Sequence, residues 1–191
     1  MFDYLLHLDQ KIFIFLNGLG ATPFDGFWLF LTKQINWTPF FLVLLYLVYK
    51  KFDTKQTLFL IVFIAVLVLF SDQTCNLVKN IVQRERPCNT EVIKSVIRIV
   101  KTSDTYSFYS GHAANSAAVT VFLYLLLRKK YSLIGFAFCW PILFGYSRIY
   151  LGLHYPLDIL SGYIAGTIFG FGFYRVYTNN FKKSLKNSTN R

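Results

Sequence analysis

The sequence predicts an all-α membrane protein, a polytopic transmembrane helical bundle of five to six spans plus an N-terminal interfacial helix. Of its 191 residues, 54% are hydrophobic and only 15% are charged, far from the composition of an average soluble domain. Apolar segments of nearly spanning length recur along the chain. The lysines and arginines behind the formal charge of +11 cluster at the edges of these segments. The charge therefore indicates topology and an anionic substrate, and we expect no nucleic-acid partner.

Residues 1–22 are predicted to lie in the membrane interface. Asp3, His7, Asp9 and Lys11 interrupt the apolar pattern, which favours a helix lying on the membrane over one that spans it. The segment also lacks the basic start, uninterrupted apolar stretch and small-residue cleavage site of a secretory signal. A turn-rich stretch, NGLGATPFDG, separates this helix from the apolar segments of the rest of the chain.

Five apolar segments then predict membrane spans, at roughly 37–50, 57–79, 111–128, 131–149 and 157–178. A hydrocarbon core about 30 Å thick needs roughly 20 helical residues, so the first segment must tilt or borrow length from the preceding FWLFLTKQI. A sixth span is also allowed. No linker or repeat divides the chain, and 1–191 is predicted to be one membrane-embedded domain.

The loops predict the orientation. YKKFDTK, RKK and the basic tail 179–191 fall on one side if spans alternate, and the positive-inside rule makes that side cytoplasmic. The loop 88–110 and every polar cluster then face outward. Cys75, Cys88 and Cys139 are widely spaced, with no Cys or His nearby at metal-ligand spacing. We expect no disulfide framework, no metal site and no cofactor.

The first polar cluster is KNIVQRERP. Lys79 and Arg86 are seven residues apart, two helical turns, and are predicted to project from one face at the end of a span that Pro87 helps to stop. The alternative is a fringe of side chains that snorkel to the membrane edge. Arg84 lies on another helix face and is interpreted as one of these snorkelling side chains at the membrane edge.

The second cluster is Ser110, Gly111 and His112, at the start of a long apolar run. A helix beginning there offers unpaired N–H groups and a positive dipole end, which together bind anions. Gly111 lets the backbone approach a ligand, Ser110 can donate a hydrogen bond and His112 can carry a proton. The alternative is a serine N-cap with an incidental histidine.

The third cluster is YSRIYLGLHYPLDILSG. Arg148 ends one apolar segment, His154 lies in the turn, and Pro156 suits the first turn of the next helix, which also holds Asp158. The Asp158 carboxylate could reach back to His154, fix its tautomer and leave the other ring nitrogen as a nucleophile or base. A capping role for Asp158 is the alternative.

Together the three clusters resemble the signature of the type 2 phosphatidic acid phosphatase family, which shares a superfamily with vanadium haloperoxidases. Lys79 to Pro87 match K-x6-R-P, Ser110 to His112 match the end of P-S-G-H, and Ser147 to Asp158 match S-R-x5-H-x3-D. One residue departs from the pattern, since Tyr109 stands where the family usually has proline.

The resemblance implies a role for each matching residue. His154 would be the nucleophile, Asp158 would orient it, and His112 would protonate the leaving lipid oxygen. The phosphate oxygens would be held by Lys79, Arg86, Ser110, Gly111 and Arg148. The reaction would proceed through a phosphohistidine without a metal.

The implied function is hydrolysis of a lipid phosphomonoester or pyrophosphate, of the phosphatidic acid, phosphatidylglycerol phosphate or undecaprenyl pyrophosphate class. The alternative is a lipid A phosphatase on the outer face of the bacterial inner membrane. A vanadium-dependent haloperoxidase and a non-enzymatic transporter or scaffold are more distant alternatives. We expect the lipid phosphate and membrane lipids as partners, and no obligate protein partner.

The outer loop contains EVIKSVIRIVK, whose spacing predicts a short amphipathic helix with Lys94, Arg98 and Lys101 on its polar side. We expect this basic stripe to gather anionic lipid heads and to form one wall of the route to the phosphate site; a simple interfacial anchor is the alternative. Asp72, seven residues before Lys79, is interpreted as a polar group that packs inside the bundle.

Overall fold

The computed structural model describes the backbone of residues 2–189 and the side chains of residues 3–180, so most side chains of the predicted basic tail 179–191 lie outside the described residues. Within residues 2–189 the chain forms eight α-helices joined by turns and short 3-10 segments, with no strand. The helices are α1 Phe2–Gly18, α2 Asp25–Leu31, α3 Thr38–Tyr49, α4 Thr54–Val82, α5 Glu91–Lys94, α6 Gly111–Leu127, α7 Cys139–Tyr150 and α8 Pro156–Thr189.

All five predicted apolar segments are helical, which confirms the fold class. Three stretches are long and apolar enough to cross a membrane: Thr54–Lys94, Ser132–Tyr150 and Pro156–Asn180. Helix α1 and the segment Thr22–Leu31 meet at 86° and make a fourth if counted as one broken span. Gln34–Tyr49 and Gly111–Leu127 are shorter apolar helices. The total of five to six spans stays a prediction.

The closest helix packing is between α6 and α8, and it depends on glycines spaced four residues apart on α8, Gly162, Gly166 and Gly170. A Cβ at Gly162 would lie 2.6 Å from the carbonyl oxygen of Ser110, and one at Gly166 would come still closer to that of Ala114. Small residues at this spacing let helix backbones touch in membranes. The packing brings the N-terminal ends of both helices together, where two of the polar clusters lie.

Helix α1 buries a stripe of residues four apart, Asp9, Phe13 and Asn17. The Asn17 amide donates to the carbonyl oxygens of Ile149 and Tyr150, both at 3.1 Å. Asp9 is only 3% exposed, because it faces the protein interior. The interfacial position of residues 1–22 stays a prediction. Helix α1 is tied to the end of α7 by buried polar contacts.

The prediction that Lys79 and Arg86 share one helix face is wrong. Helix α4 ends at Val82, because Gln83 adopts a left-handed conformation (φ 51°) and its N–H bonds the Lys79 carbonyl oxygen at 2.9 Å. Arg86 is extended (φ −78°, ψ 153°), as steric conflict with Pro87 demands of the preceding residue. Arg86 therefore reaches the site from a loop.

The predicted amphipathic helix in the loop 88–110 is also wrong beyond its first turn, since α5 covers only Glu91–Lys94. The Asn17 side chain accepts from the Arg98 N–H at 2.7 Å and donates to the Arg98 carbonyl oxygen at 3.0 Å. The Lys101 N–H donates to the Leu151 carbonyl oxygen at 3.2 Å. Tertiary hydrogen bonds have replaced the helical ones that the apolar spacing suggested.

Candidate active site

A cavity of about 600 Å³ lies between α3, α4, α6 and α7. Its polar end is where α4 finishes and α6 and α8 begin. This end brings together residues from all three sequence clusters, namely Lys79, Arg86, Gly111, His112, Arg148 and His154. Ser110 and Asp158 are fully buried behind this wall and do not line the cavity.

His154 lies in the turn between α7 and α8, 1% exposed. Its Nε2 is 3.0 Å from Nη1 of Arg86. Because a guanidinium only donates, Nε2 must accept, and this assigns the ring proton to Nδ1, which faces Oδ2 of Asp158 at 3.5 Å. Burial lowers the pKa of His154 to about 3, below its usual 6.5. The imidazole is therefore neutral at neutral pH, with a lone pair at the cavity wall, as a nucleophile requires.

The Asp158 carboxylate is held by donors on both oxygens. Oδ2 accepts from the Tyr155 N–H at 2.9 Å and from the Ser107 hydroxyl, while Oδ1 accepts from Nη1 of Arg84 at 2.8 Å. A carboxylate fixed this way fixes the ring that it contacts. Sequence reasoning did not single out Ser107, which is fully buried at the start of the SFYSGH stretch.

The interpretation of Arg84 as membrane-edge fringe is wrong. Its Nη2 lies 2.6 Å from Oδ2 of Asp9, and its guanidinium lies over the Tyr155 ring, 4.1 Å from the centroid. The other Asp9 oxygen accepts from the Leu157 N–H at 2.9 Å, in the first turn of α8. A carboxylate–guanidinium–carboxylate chain thus joins α1 to Asp158. The i, i+4 stripe of Asp9 with buried Phe13 was the signal available in the sequence.

The start of α6 is built by contacts with its neighbours. The Ser110 hydroxyl accepts from the Ala113 N–H at 3.4 Å, so it caps the helix, and a Cβ at Gly111 would lie 3.2 Å from Sγ of Cys75. The Cys75 thiol donates to the Tyr109 carbonyl oxygen at 3.2 Å. The turn that has tyrosine in place of the family's proline is held by this contact and by the Ser110 N–H, which donates to the Asp158 carbonyl oxygen at 3.0 Å.

Arg148 offers an unused donor to the cavity. Its Nη1 donates to the Thr32 hydroxyl at 2.6 Å, whereas its Nε is buried and has no partner among the described side chains. Buried donors are normally paired, so an unpaired one in a cavity wall is typical of a ligand site. His112 lines the same wall with its ring 5.0 Å from that of Phe144.

The polar end can therefore hold a tetrahedral anion. Lys79, Arg86 and Arg148 supply positive charge around it, and the start of α6 adds its dipole. Phosphoryl transfer depends mostly on positioning and on stabilising charge on the phosphate oxygens. A phosphate bound here would lie beside Nε2 of His154, with His112 on the same wall.

The three predicted lipid-access residues are not brought together. None of Lys94, Arg98 and Lys101 lines the cavity. Arg98 is half-buried and pairs with Asp25 at 2.9 Å, while exposed Lys94 pairs with Glu91 at 3.3 Å. The predicted continuous basic stripe does not form, because the chain leaves the helical path at Ser95.

Residues 57–182 match the profile of the PAP2 superfamily. The chain is 36% identical over 178 residues to a lipid A 4'-phosphatase of Bacteroides thetaiotaomicron, covering 91% of this chain and 79% of that protein. It is 29% identical over 183 residues to a lipid A 4'-phosphatase of Porphyromonas gingivalis, covering 92% and 75%. Its fold is similar to that of a transmembrane PAP2-type phosphatidylglycerolphosphate phosphatase from Bacillus subtilis, with a TM-score of 0.71, 18% identity and coverage of 92% and 87%.

Proposed function

This chain belongs to the PAP2 superfamily and is an integral membrane lipid phosphatase, and we propose that it works through a phosphohistidine on His154. The observation that supports this proposal is the orientation of the neutral His154 imidazole and the partners of its two ring nitrogens. Nε2 faces Arg86 at the cavity wall, while Nδ1 faces the Asp158 carboxylate, whose two oxygens are both fixed by hydrogen bonds. This is the arrangement that prepares a neutral histidine to attack phosphorus.

In the first half of the reaction, Lys79, Arg86 and Arg148 bind the phosphate oxygens. Arg86 exchanges Nε2 of His154 for a phosphate oxygen, which frees the lone pair. Nε2 then attacks phosphorus in line with the leaving group, and the phosphorus–oxygen bond to the lipid breaks. The lipid oxygen takes a proton from His112, whose protonated form the bound phosphate dianion favours.

The second half returns the enzyme to its starting state. His112, now neutral, takes a proton from a water molecule, which attacks the phosphorus and breaks its bond to Nε2. Inorganic phosphate leaves and His154 is again neutral. Asp158 stabilises the positive charge that the imidazole carries in the intermediate. Cations and a helix terminus do the electrostatic work here, so we infer that the reaction is independent of metal.

We further propose that the site opens at the outer, periplasmic face of a bacterial inner membrane. The basic loops YKKFDTK and RKK lie at the opposite ends of the helices that carry the site, and the positive-inside rule places those loops in the cytoplasm. Among lipid phosphates, the two relatives named lipid A 4'-phosphatase favour a phosphorylated lipid A-type glycolipid. Phosphatidic acid, phosphatidylglycerol phosphate and undecaprenyl pyrophosphate are the competing substrates.

Phosphate release by the purified protein in detergent, with EDTA throughout, tests this function. We expect the highest kcat/KM on the lipid A-type substrate among the four lipids, and no release by His154→Gln. Activity that disappears with EDTA and returns with a divalent cation would contradict the metal-independent mechanism. Release from none of the four lipids would contradict the lipid phosphatase assignment.

A further inference from the structure

Below the phosphate-binding end, the cavity wall carries a polar layer that the mechanism does not use. It is formed by Asp72 and Asn76 on α4 and Asn115 on α6. The Asp72 oxygens accept from Asn76 at 3.3 Å and from Asn115 at 3.5 Å, both long for hydrogen bonds. Within residues 3–180, whose side chains the structure describes, Oδ1 of Asn115 is buried and has no hydrogen-bond partner. Polar groups inside apolar helices are costly, and those that line a cavity indicate a substrate path.

The layer has a fixed depth relative to the phosphate. Along α4, Asn76 is about 4.5 Å and Asp72 about 10 Å below Lys79, and Val68 is about 16 Å below it. On α6, Asn115 likewise lies one turn below His112. Beyond the layer the cavity is apolar, lined by Leu44, Val48, Leu60, Ile61, Ile64, Val68, Val119 and Leu123. From the phosphate-binding end inward, the cavity wall is therefore first cationic, then lined by hydrogen-bonding side chains, and finally apolar.

This order selects among lipid phosphates. A polyprenyl diphosphate has no polar atom beyond its phosphates and would place methylene groups against the Asp72 carboxylate. The ester groups of a diacylglycerol phosphate only accept hydrogen bonds, and a carboxylate needs donors. Phosphatidylglycerol phosphate adds one hydroxyl donor but no amide. A sugar that carries hydroxyl and amide N–H groups offers donors to Asp72 and to the unpaired Asn115 oxygen, and carbonyl acceptors for the amides of Asn76 and Asn115.

We propose that Asp72, Asn76 and Asn115 bind the hydroxyl and amide groups of an N-acylated sugar, so that the site selects phosphorylated glycolipids. The proposal rests on the proposed function for the position of the phosphate. It extends the interpretation of Asp72 as a packing residue, because long bonds to two neutral amides do not account for a carboxylate in an apolar helix.

The test compares Asp72→Leu and Asp72→Asn with Gln73→Leu, a change from polar to apolar at an exposed neighbour on the same helix that does not line the cavity. Each full-length variant is assayed in detergent on a phosphorylated N-acylglucosamine lipid and on undecaprenyl diphosphate. Losing a hydrogen bond to a charged group lowers affinity about tenfold to a hundredfold. We expect Asp72→Leu to lower kcat/KM by that factor on the glycolipid and to leave it unchanged on the polyprenyl substrate, with Gln73→Leu neutral on both. Asp72→Asn keeps one acceptor oxygen and should lose less.

Binding of the same N-acylglucosamine lipid without its phosphate separates this inference from the function itself. We expect its Kd to rise about tenfold in Asp72→Leu and to stay unchanged in Gln73→Leu. That result would support the sugar subsite even if the wild type released no phosphate. An equal loss of kcat/KM on both substrates, or an unchanged Kd, would return Asp72 to a packing role and overturn the proposal.

Discussion

Arg84 stands between two buried carboxylates, those of Asp9 and Asp158, which are 3% and 0% exposed. Replacing Arg84 by Gln keeps a hydrogen-bond donor but removes the positive charge from between them. Breaking a buried ion pair by removing one partner costs about 3–5 kcal/mol. The Arg84 side chain is 17% exposed, which favours the lower end, about 3 kcal/mol. For a chain of this size that loss lowers Tm by about 6–12 °C.

Adding Asp9→Asn to the same variant should restore part of the loss, because the double variant no longer holds two carboxylates without a cation. We expect a coupling of about 1–2 kcal/mol between the two changes. Arg84→Gln should also lower kcat more than it raises KM, since Arg84 contacts Asp158 and does not line the cavity. The assay is a double-mutant cycle in which thermal unfolding in detergent and phosphate release are measured for each variant.

Arg128→Gln is the matched control, because Arg128 is exposed at the far end of α6 and should change stability by no more than about 0.5 kcal/mol. If the losses of Arg84→Gln and Asp9→Asn simply add in the double variant, the two carboxylates do not share Arg84. A wild-type Tm in Arg84→Gln would contradict the ion-pair chain altogether.

Three further predictions concern helix packing, the outer loop and protonation. Gly166→Ala should lower the free energy of unfolding by about 1–3 kcal/mol and reduce activity, because the new Cβ would collide with the α6 backbone. Gly172→Ala is the control: its Cβ meets open space, so the change should be neutral or stabilising. Equal Tm values for the two variants would refute the close packing of α6 and α8. Arg98→Gln should lower Tm and leave KM unchanged, because Arg98 forms an ion pair with Asp25. Lys101→Gln is the control and should change neither value. A KM that rises in Arg98→Gln but not in Lys101→Gln would instead favour a role for Arg98 in lipid capture. The pKa of His154 is about 3 in the folded protein and about 6.5 in the unfolded chain. Between these two pH values only the unfolded chain binds a proton at His154, so the free energy of unfolding falls as the pH drops from about 6.5 to 3. Tm should therefore decline less steeply with acid in His154→Gln, and equal slopes would show that His154 is not held neutral by burial.

The parts of the site that the sequence predicted are local ones. His154 and Asp158 are four residues apart, and Pro156 places Asp158 in the first turn of α8, so their contact follows from chain geometry alone. The serine cap at Ser110 follows from the residue type and the apolar run behind it. The family signature then identified which of the polar residues meet.

Predictions that extended a regular pattern past a local break failed. Projecting Arg86 along α4 ignored the restriction that Pro87 places on the residue before it, and this restriction is readable from sequence. The helical spacing around Arg98 was real, but backbone hydrogen bonds to Asn17 override it, and no local pattern reports a partner so distant in the chain. The i, i+4 spacing of Asp9 and Phe13 indicated a shared helix face, but it could not report the partners of Asp9, which lie on α8 and beyond the end of α4.

The proposed mechanism depends on His154 carrying the phosphoryl group. Rapid quenching of the wild type with a lipid substrate labelled with ³²P at the scissile phosphate, followed by peptide mapping, tests this step. We predict an acid-labile, base-stable phosphohistidine that maps to His154 and is absent from His154→Gln. A wild-type burst of phosphate release with no labelled protein at any quench time, or a label on another residue, would contradict it.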